Sequence, residues 1–341
     1  MAPYTSSELA ARIKELPRFP LAHLPTPVEK LANLTRAVGG PQILVKRDDL
    51  TGLAFGGNKT RQLEFILGDA LARGADVLII GAGSQSNFCR QATAAACKAG
   101  LEIQLILQHG VKGPERQGNL LLDELMGADI TIVNVDSMHE LRPLFRERAD
   151  QLRALGRRPY ISDPLVDSAA LGSIGFVNGV LELKSQLDAA RTDIDTIFVA
   201  AANMTQAGIL VGVKALGLPW RVIGIAPILF AEDRSVDIAR IASQTAAVLD
   251  LELTFEPWEV INDPHFVGPG YGLVDDAARH AFKLAAKTEG LFLDPVYTSK
   301  AMAGLLAWAK DGRLKKDERV LFWHTGGTPA IFSYSQELMG P

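Results

Sequence analysis

The stretch "ADVLIIGAGSQSNFCRQATAAACKAG", residues 75–100, decides the fold class. Val77–Ile80 is an uninterrupted apolar run rich in β-branched residues, which predicts a short strand buried on both faces. It ends in the glycine turn Gly81-Ala82-Gly83, and the alanine-rich segment from Asn87 reads as a helix stopped by Gly100. The same order recurs outward along the chain. "LEIQLIL" (101–107), "DITIV" (129–133) and "WRVIGIAPI" (220–228) read as strands, and "ERQGNLLLDELMGA" (115–128) as a helix. "DTIFVAAANMTQAGILVGVKALG" (195–217) and "RVLFWHTGGTPAIF" (319–332) each read as strand, turn and helix. Short buried strands alternating with helices predict an α/β protein whose mainly parallel, twisted sheets are covered by helices on both faces. On such sheets ligands gather beyond the carboxyl ends of the strands. The informative loops are therefore 52–59, 81–87, 201–205 and 324–328, each small-residue rich and each leading into a helix whose free N–H groups suit an anion.

The bulk numbers narrow the function classes. A chain of 341 residues suggests roughly two domains, and 48% hydrophobic with 22% charged residues fits a folded chain with a sizeable core. A net charge of −4, with no Lys/Arg stripe, argues against a nucleic-acid face. Two cysteines, Cys89 and Cys97, rule out a disulfide scaffold and fit a reduced, cytoplasmic setting. Eight residues apart, they are expected to pack on one helix face. No Cys/His cluster has metal-ligand spacing, the N-terminus lacks a signal peptide's apolar run, and no segment approaches the ~18 apolar residues of a membrane span. "GRRPYISDPLVDSAALGSIG" (156–175) is the best linker candidate by its Pro, Gly and Ser content.

Chemistry concentrates around Lys59. "FGGNKTRQLEF" (55–65) nearly spells a P-loop, but Asn58 stands between Gly57 and Lys59 and breaks the register. "GAGSQS" (81–86) has two of the three glycines of a dinucleotide fingerprint and Ser86 in place of the third. A cation at a helix start is mildly unfavourable, so a lysine flanked by permissive glycines reads as placed for a ligand. It could be a phosphate anchor or a Schiff-base nucleophile.

The other loops bear on that choice. "VKRDDLTGLAFGGNKTRQLEF" (45–65) and "GAGSQSNFCRQ" (81–91), followed by "TQAG" (205–208), "GYG" (270–272), "DPVYTSKAM" (294–302) and "HTGGTPAIF" (324–332), resemble a known family. It is the fold-type-II pyridoxal 5′-phosphate family of 1-aminocyclopropane-1-carboxylate deaminase and D-cysteine desulfhydrase. The resemblance covers about residues 20 to 335 and implies a tryptophan synthase β-like fold in two domains. Residues 1–55 with 166–341 would form the larger, phosphate-binding domain, and 56–165 the smaller one carrying the "QSN" loop. Lys59, preceded by Asn58, would carry the cofactor, and Asn87 would bond its phenolic oxygen. Ser86, Asn87 and the amide of Phe88 would cradle a substrate carboxylate, with Ser86 or Lys59 moving the proton. Tyr297 would lie against the cofactor ring and Tyr271 approach the substrate. Ala201, Ala202, Asn203, Met204 and Thr205 would hold the phosphate. The family also implies a small amino-acid substrate and a homodimer. By residue type alone, Ser86 and Asn87 also fit a helix N-cap, and Tyr297 a core aromatic.

Three departures shape the expected reaction. The phosphate turn has no glycine before Gly208, and Phe88 stands where the family usually has a polar residue. The deaminases carry a Glu after the "DPVY" tyrosine and tend to Leu in the "HTGG" turn. Thr298 and Thr325 occupy those places here, as in the desulfhydrases. Neutral partners leave the cofactor ring a weaker electron sink, adequate for α,β-elimination of a good leaving group. The expectation is a carbon–sulfur lyase with D-cysteine as first substrate. L-cysteate, β-chloroalanine, a hydroxy amino acid or ring opening of the cyclopropane stay open, as do a non-catalytic amino-acid sensor and a nucleotide-binding protein. His324 is expected to be structural, and His109 to line the cleft.

Overall fold

A computed structural model of the chain describes residues 3–135, 137–163, 168–230 and 233–340. Among these described residues the strands are β1 (Val28–Lys30), β2 (Gln42–Arg47), β3 (Val77–Ile80), β4 (Glu102–Gln108), β5 (Asp129–Val133), β6 (Pro159–Ile161), β7 (Thr196–Ala200), β8 (Arg221–Ile225), β9 (Ile261–Asp263) and β10 (Arg319–His324). They form a six-stranded sheet, β1-β2-β10-β7-β8-β9, and a four-stranded sheet, β5-β4-β3-β6. Every pairing is parallel except β1 with β2. β10 lies between β2 and β7, with Leu321 opposite Leu44 on one side and Ile197 on the other. The last strand of the chain thus brings loop 324–328 beside the turns after β2 and β7. β3 is buried along its whole length, as its unalternated sequence requires.

The four-stranded sheet is drawn wholly from residues 77–161, and the six-stranded sheet from 28–47 and 196–324. One apolar core nevertheless crosses between them, containing Leu63, Phe65, Leu78, Phe176, Val177 and Val199. The segment 156–175 is mostly not a linker. Residues 159–161 are β6, and Ala169–Ala189 is a 21-residue helix. Positions 164–167 lie outside the described residues. Two of the three glycines in that segment, Gly172 and Gly175, are contact points. A Cβ on Gly175 would stand 2.2 Å from the Arg61 carbonyl oxygen, and one on Gly172 would stand 2.5 Å from Met204 Sδ. Glycine there lets the helix Lys59–Ala72 approach at backbone distance.

That helix is fixed by buried charge. Arg61 Nε and Nη2 donate to the two Asp48 carboxylate oxygens at 2.8 Å each, and Nη1 and Nη2 donate to Glu182. Trp323 Nε1 donates to Asp48 at 2.7 Å, and Lys46 donates to Glu182. Burial alone would raise the Glu182 carboxyl, but Arg61 and Lys46 hold it down to about 2. The network joins β2, β10, helix Ala169–Ala189 and the first turn of the helix that Lys59 opens.

Among the described residues no helix is long and apolar enough to cross a membrane. Cys89 is buried but Cys97 is exposed, so the two do not share a packed face. Eight helical positions leave a rotation of about 80°, enough to carry the second thiol to the surface.

Candidate active site

The loops expected to hold a ligand converge on one cavity of about 550 Å³. Its wall takes Asn58 and Lys59 from the turn after β2, and Ala82, Gly83, Ser86, Asn87 and Phe88 from the turn after β3. Ala202, Asn203, Met204 and Thr205 come from the turn after β7, and Thr325 and Gly326 from the turn after β10. Tyr271 and Tyr297 also line it. The backbones of two of these turns touch. Gly57 has φ +124° and Gly326 φ +84°, and a Cβ on Gly326 would fall 2.7 Å from Gly57 Cα. Only glycine fits both the dihedral and the distance. Asn58 N–H donates to the Thr325 carbonyl at 2.9 Å, locking the Lys59 turn to the β10 turn.

Lys59 begins its helix half-buried, and its amine has no hydrogen-bond partner among the described residues. Burial in the cleft pushes the ammonium down to about 8. Ser86 is the N-cap of helix Asn87–Ala99, its hydroxyl accepting from the N–H groups of Phe88 and Cys89 at 3.2 Å. The Phe88 amide is therefore engaged by Ser86, and a carboxylate would have to compete for it. The hydroxyl proton of Ser86 is left to donate into the cavity. Asn87 Oδ1 accepts from Asn119 at 2.9 Å, which leaves Asn87 Nδ2 as a donor. Tyr271 and Tyr297 join hydroxyl to hydroxyl at 2.5 Å, with rings edge-to-face. Burial raises both phenols, so both are protonated at neutral pH.

At the third turn, helix Met204–Ala215 points its start at the cavity. The Thr205 hydroxyl accepts from Asn58 Nδ2 at 3.0 Å and Gln62 Nε2 at 3.2 Å, so its own proton is free to donate outward. The Met204 side chain turns into the core at 1% exposure. Asn203 Oδ1 accepts from the Met204 N–H at 2.7 Å. The side chain that replaces glycine in this turn thus covers one of the amides an anion would use.

Two residues expected at the ligand do not line the cavity. Ala201 is fully buried behind the turn. Thr298 is also fully buried, and its hydroxyl donates to Asp294 at 2.8 Å while its N–H donates to the same carboxylate at 2.6 Å. Asp294 also takes the N–H groups of Val296 and Tyr297, and so caps the helix that Thr298 begins. A threonine tied down in this way cannot turn to a ligand. His109 is exposed, and Gln108 lines the cavity instead. Successive strand residues face opposite ways, which explains the one-residue error. His324 is fully buried away from the cavity lining, its Nε2 against the Phe292 carbonyl at 3.1 Å. The sequence reading missed Ser137, Met138 and His139 after β5 and Ile228, Leu229 and Phe230 after β8. Both segments follow parallel strands, and their position at the carboxyl ends was the available signal. Among the described residues no three His, Cys, Asp or Glu are grouped to hold a metal ion.

Residues 20–326 match the family described as pyridoxal-phosphate dependent enzyme. The chain belongs to that family. Relatives include 1-aminocyclopropane-1-carboxylate deaminases of Burkholderia ambifaria and Burkholderia lata. Each is 37% identical over 331 residues, covering 95% of this chain and 98% of the relative. A solved structure described as an ACC deaminase homologue superposes with a TM-score of 0.89 at 34% identity, over 99% of both chains. The processed threonine deaminase isoform 2 of Solanum lycopersicum superposes at 0.67 with 17% identity, covering 99% of this chain and 89% of that one, and shares the fold alone. The fold is thus the type-II, tryptophan synthase β-like architecture of pyridoxal-phosphate-dependent enzymes.

The residues present fit this family's cofactor. An amine of lowered pKa, with no partner among the described residues, suits an aldehyde. A helix start with the outward proton of Thr205 suits a phosphate, and the Asn87 amide can donate to a phenolate. A Cβ on Gly327 would lie 2.9 Å from Asn87 Nδ2 and 2.7 Å from Asp294 Cβ, so glycine keeps the space beside that amide clear.

Proposed function

We propose that this pyridoxal-phosphate-dependent enzyme is a lyase that eliminates a β-substituent from a small amino acid, with D-cysteine as the reference substrate. The observation that carries the reading is the character of the wall: among the described residues no Asp or Glu lines the cavity, and the polar group contributed by the β10 turn is Thr325. When bound, the cofactor supplies an electron sink for the pair left when the Cα proton departs. Lys59 would hold it covalently, with the helix start at Thr205 under its phosphate, Asn87 at its phenolic oxygen and Thr325 beside its ring nitrogen. A neutral threonine there keeps the sink modest, which is enough when sulfide can leave from Cβ with the bonding pair.

The chain's own residues divide the remaining work. Ser86 presents one hydroxyl proton at a helix start, where a substrate carboxylate is favoured. Lys59, with a pKa near 8, can hold or release a proton at neutral pH. Tyr271 and Tyr297 present protonated phenols joined hydroxyl to hydroxyl, which leaves one phenolic proton to donate into the cleft. The released enamine hydrolyses to pyruvate and ammonia. Among the described lining residues only Lys59 and His139 can carry positive charge, and Phe88, Met138, Ile228, Leu229 and Phe230 make much of the wall apolar. That favours a neutral thiol-derived leaving group over the sulfonate of L-cysteate. A second reading, opening of the 1-aminocyclopropane-1-carboxylate ring, is favoured by the names of the relatives.

Incubating the holoenzyme with D-cysteine, β-chloro-D-alanine, L-cysteate and 1-aminocyclopropane-1-carboxylate separates these outcomes. The expected result is pyruvate from the first two, fastest at low substrate for D-cysteine. A four-carbon 2-oxo acid from the cyclopropane, with no pyruvate from any β-substituted amino acid, would overturn the proposal in favour of ring opening. The same preparation run on a sizing column tests the expected homodimer.

A further inference from the structure

Lys300 lies in helix Thr298–Lys310, three residues after Tyr297, and its side chain is fully buried. A buried ammonium is normally paired with a carboxylate. This one forms no ion pair among the described residues. It donates to backbone carbonyls instead: Val267 at 2.7 Å, Gly270 at 2.9 Å and Pro227 at 3.4 Å. Among the described residues the carboxylates that favour its charge are Asp275 and Asp294. Each is committed elsewhere, Asp275 to the N–H of Ala278 and Asp294 to the helix that carries Lys300 itself. Burial accordingly pushes the ammonium down to about 8.

The three carbonyls belong to two loops of the cavity wall. Val267 and Gly270 lead directly into Tyr271, whose hydroxyl meets Tyr297. Pro227 precedes Ile228, Leu229 and Phe230, all of which line the cavity. A point charge ringed by backbone carbonyls is the coordination chemistry of a large monovalent cation such as potassium or ammonium. We propose that Lys300 is a built-in monovalent cation: its ammonium gathers these two loops onto the helix behind Tyr297 and so positions Tyr271 and the apolar wall, without any metal ion. The positioning half rests on the site reading above, whereas the cation half stands without it.

The test is Lys300→Met, purified free of sodium and potassium. Melting of the cofactor-free protein and kcat/KM of the holoenzyme are measured in potassium, ammonium and tetramethylammonium chloride at equal ionic strength. The wild-type protein should be indifferent to the cation in both measurements. The variant should melt lower and lose about a hundredfold in kcat/KM in tetramethylammonium. Potassium and ammonium, small enough for the vacated cage, should restore most of each. Wild-type dependence on potassium, an unchanged variant, or a loss that no cation repairs would each overturn the proposal. Lys300→Gln, which keeps a neutral donor, is the second variant should methionine prevent folding. Failure of both to fold in every salt also counts against it. Melting needs no substrate, so cation rescue of melting in a protein that eliminates nothing would sink the lyase reading alone.

Discussion

At the residue scale the site turns on one amine. Lys59 ordinarily titrates near 10.5, and burial without a carboxylate partner brings it to about 8. Only the free amine attacks an aldehyde, and at pH 7 most of the side chain is still protonated. Each step up in pH therefore raises the reactive fraction, which passes one half at about pH 8 and saturates beyond it. In the cofactor-free protein, the rate of appearance of the visible chromophore on adding pyridoxal phosphate should rise with pH through a midpoint near pH 8 and level off only above it. Stopped-flow absorbance reads it directly. A midpoint near the ordinary lysine value of 10.5 would mean that the amine is not desolvated. Lys59→Ala should give no lysine-linked chromophore at any pH and lose at least ~10²–10⁴-fold in turnover. Ser86 shows that one residue can serve as both helix cap and site hydroxyl, because its lone pairs take two backbone N–H groups while its proton is left over.

At the scale of elements, what holds Lys59 in place is the first turn of its helix, and that turn is anchored by Arg61. The guanidinium is 1% exposed and makes five hydrogen bonds, two to Asp48, two to Glu182 and one to Thr26. Removing it leaves Asp48 fully buried with an uncompensated charge. Arg61→Met should cost about 3–5 kcal/mol in urea unfolding, and Arg61→Met with Asp48→Asn should cost distinctly less. Equal losses in the two variants would show that packing, not charge, dominates. This network was invisible in the sequence, because Asp48, Arg61, Glu182 and Trp323 are scattered over 276 positions and read singly as ordinary residues. The strands and turns that carry the site were legible, because buried parallel strands announce themselves by composition and the helix starts follow them. Helix Ala169–Ala189 was not, since its glycines mimic a linker until the backbone of Arg61 is seen against them. Thr298 was misplaced for a similar reason. Proximity in sequence to Tyr297 suggested the cavity, whereas Asp294, four residues earlier, had already claimed its hydroxyl.

At the scale of the whole molecule, the cavity draws its walls from both sheets. Ser86, Asn87 and Phe88 follow β3 of the four-stranded sheet, and Ala202–Thr205 and Thr325 follow β7 and β10 of the six-stranded one. A ligand bonded at Asn87 on one side and Thr205 on the other must couple them. Binding only to the folded protein stabilises it by about 2.7 kcal/mol at a hundredfold excess over Kd, and here that gain should be shared across both sheets. Helices Asn87–Ala99 and Met204–Ala215 should therefore gain amide-exchange protection together when pyridoxal phosphate is added to the cofactor-free protein. The Met204 amide is the sensitive reporter. Asn203 Oδ1 holds it, and an arriving phosphate must displace that side chain to use it. Protection confined to helix Asn87–Ala99 would place the phosphate somewhere other than the turn at Thr205, because a phosphate seated there cannot leave the start of the second helix exchanging as before.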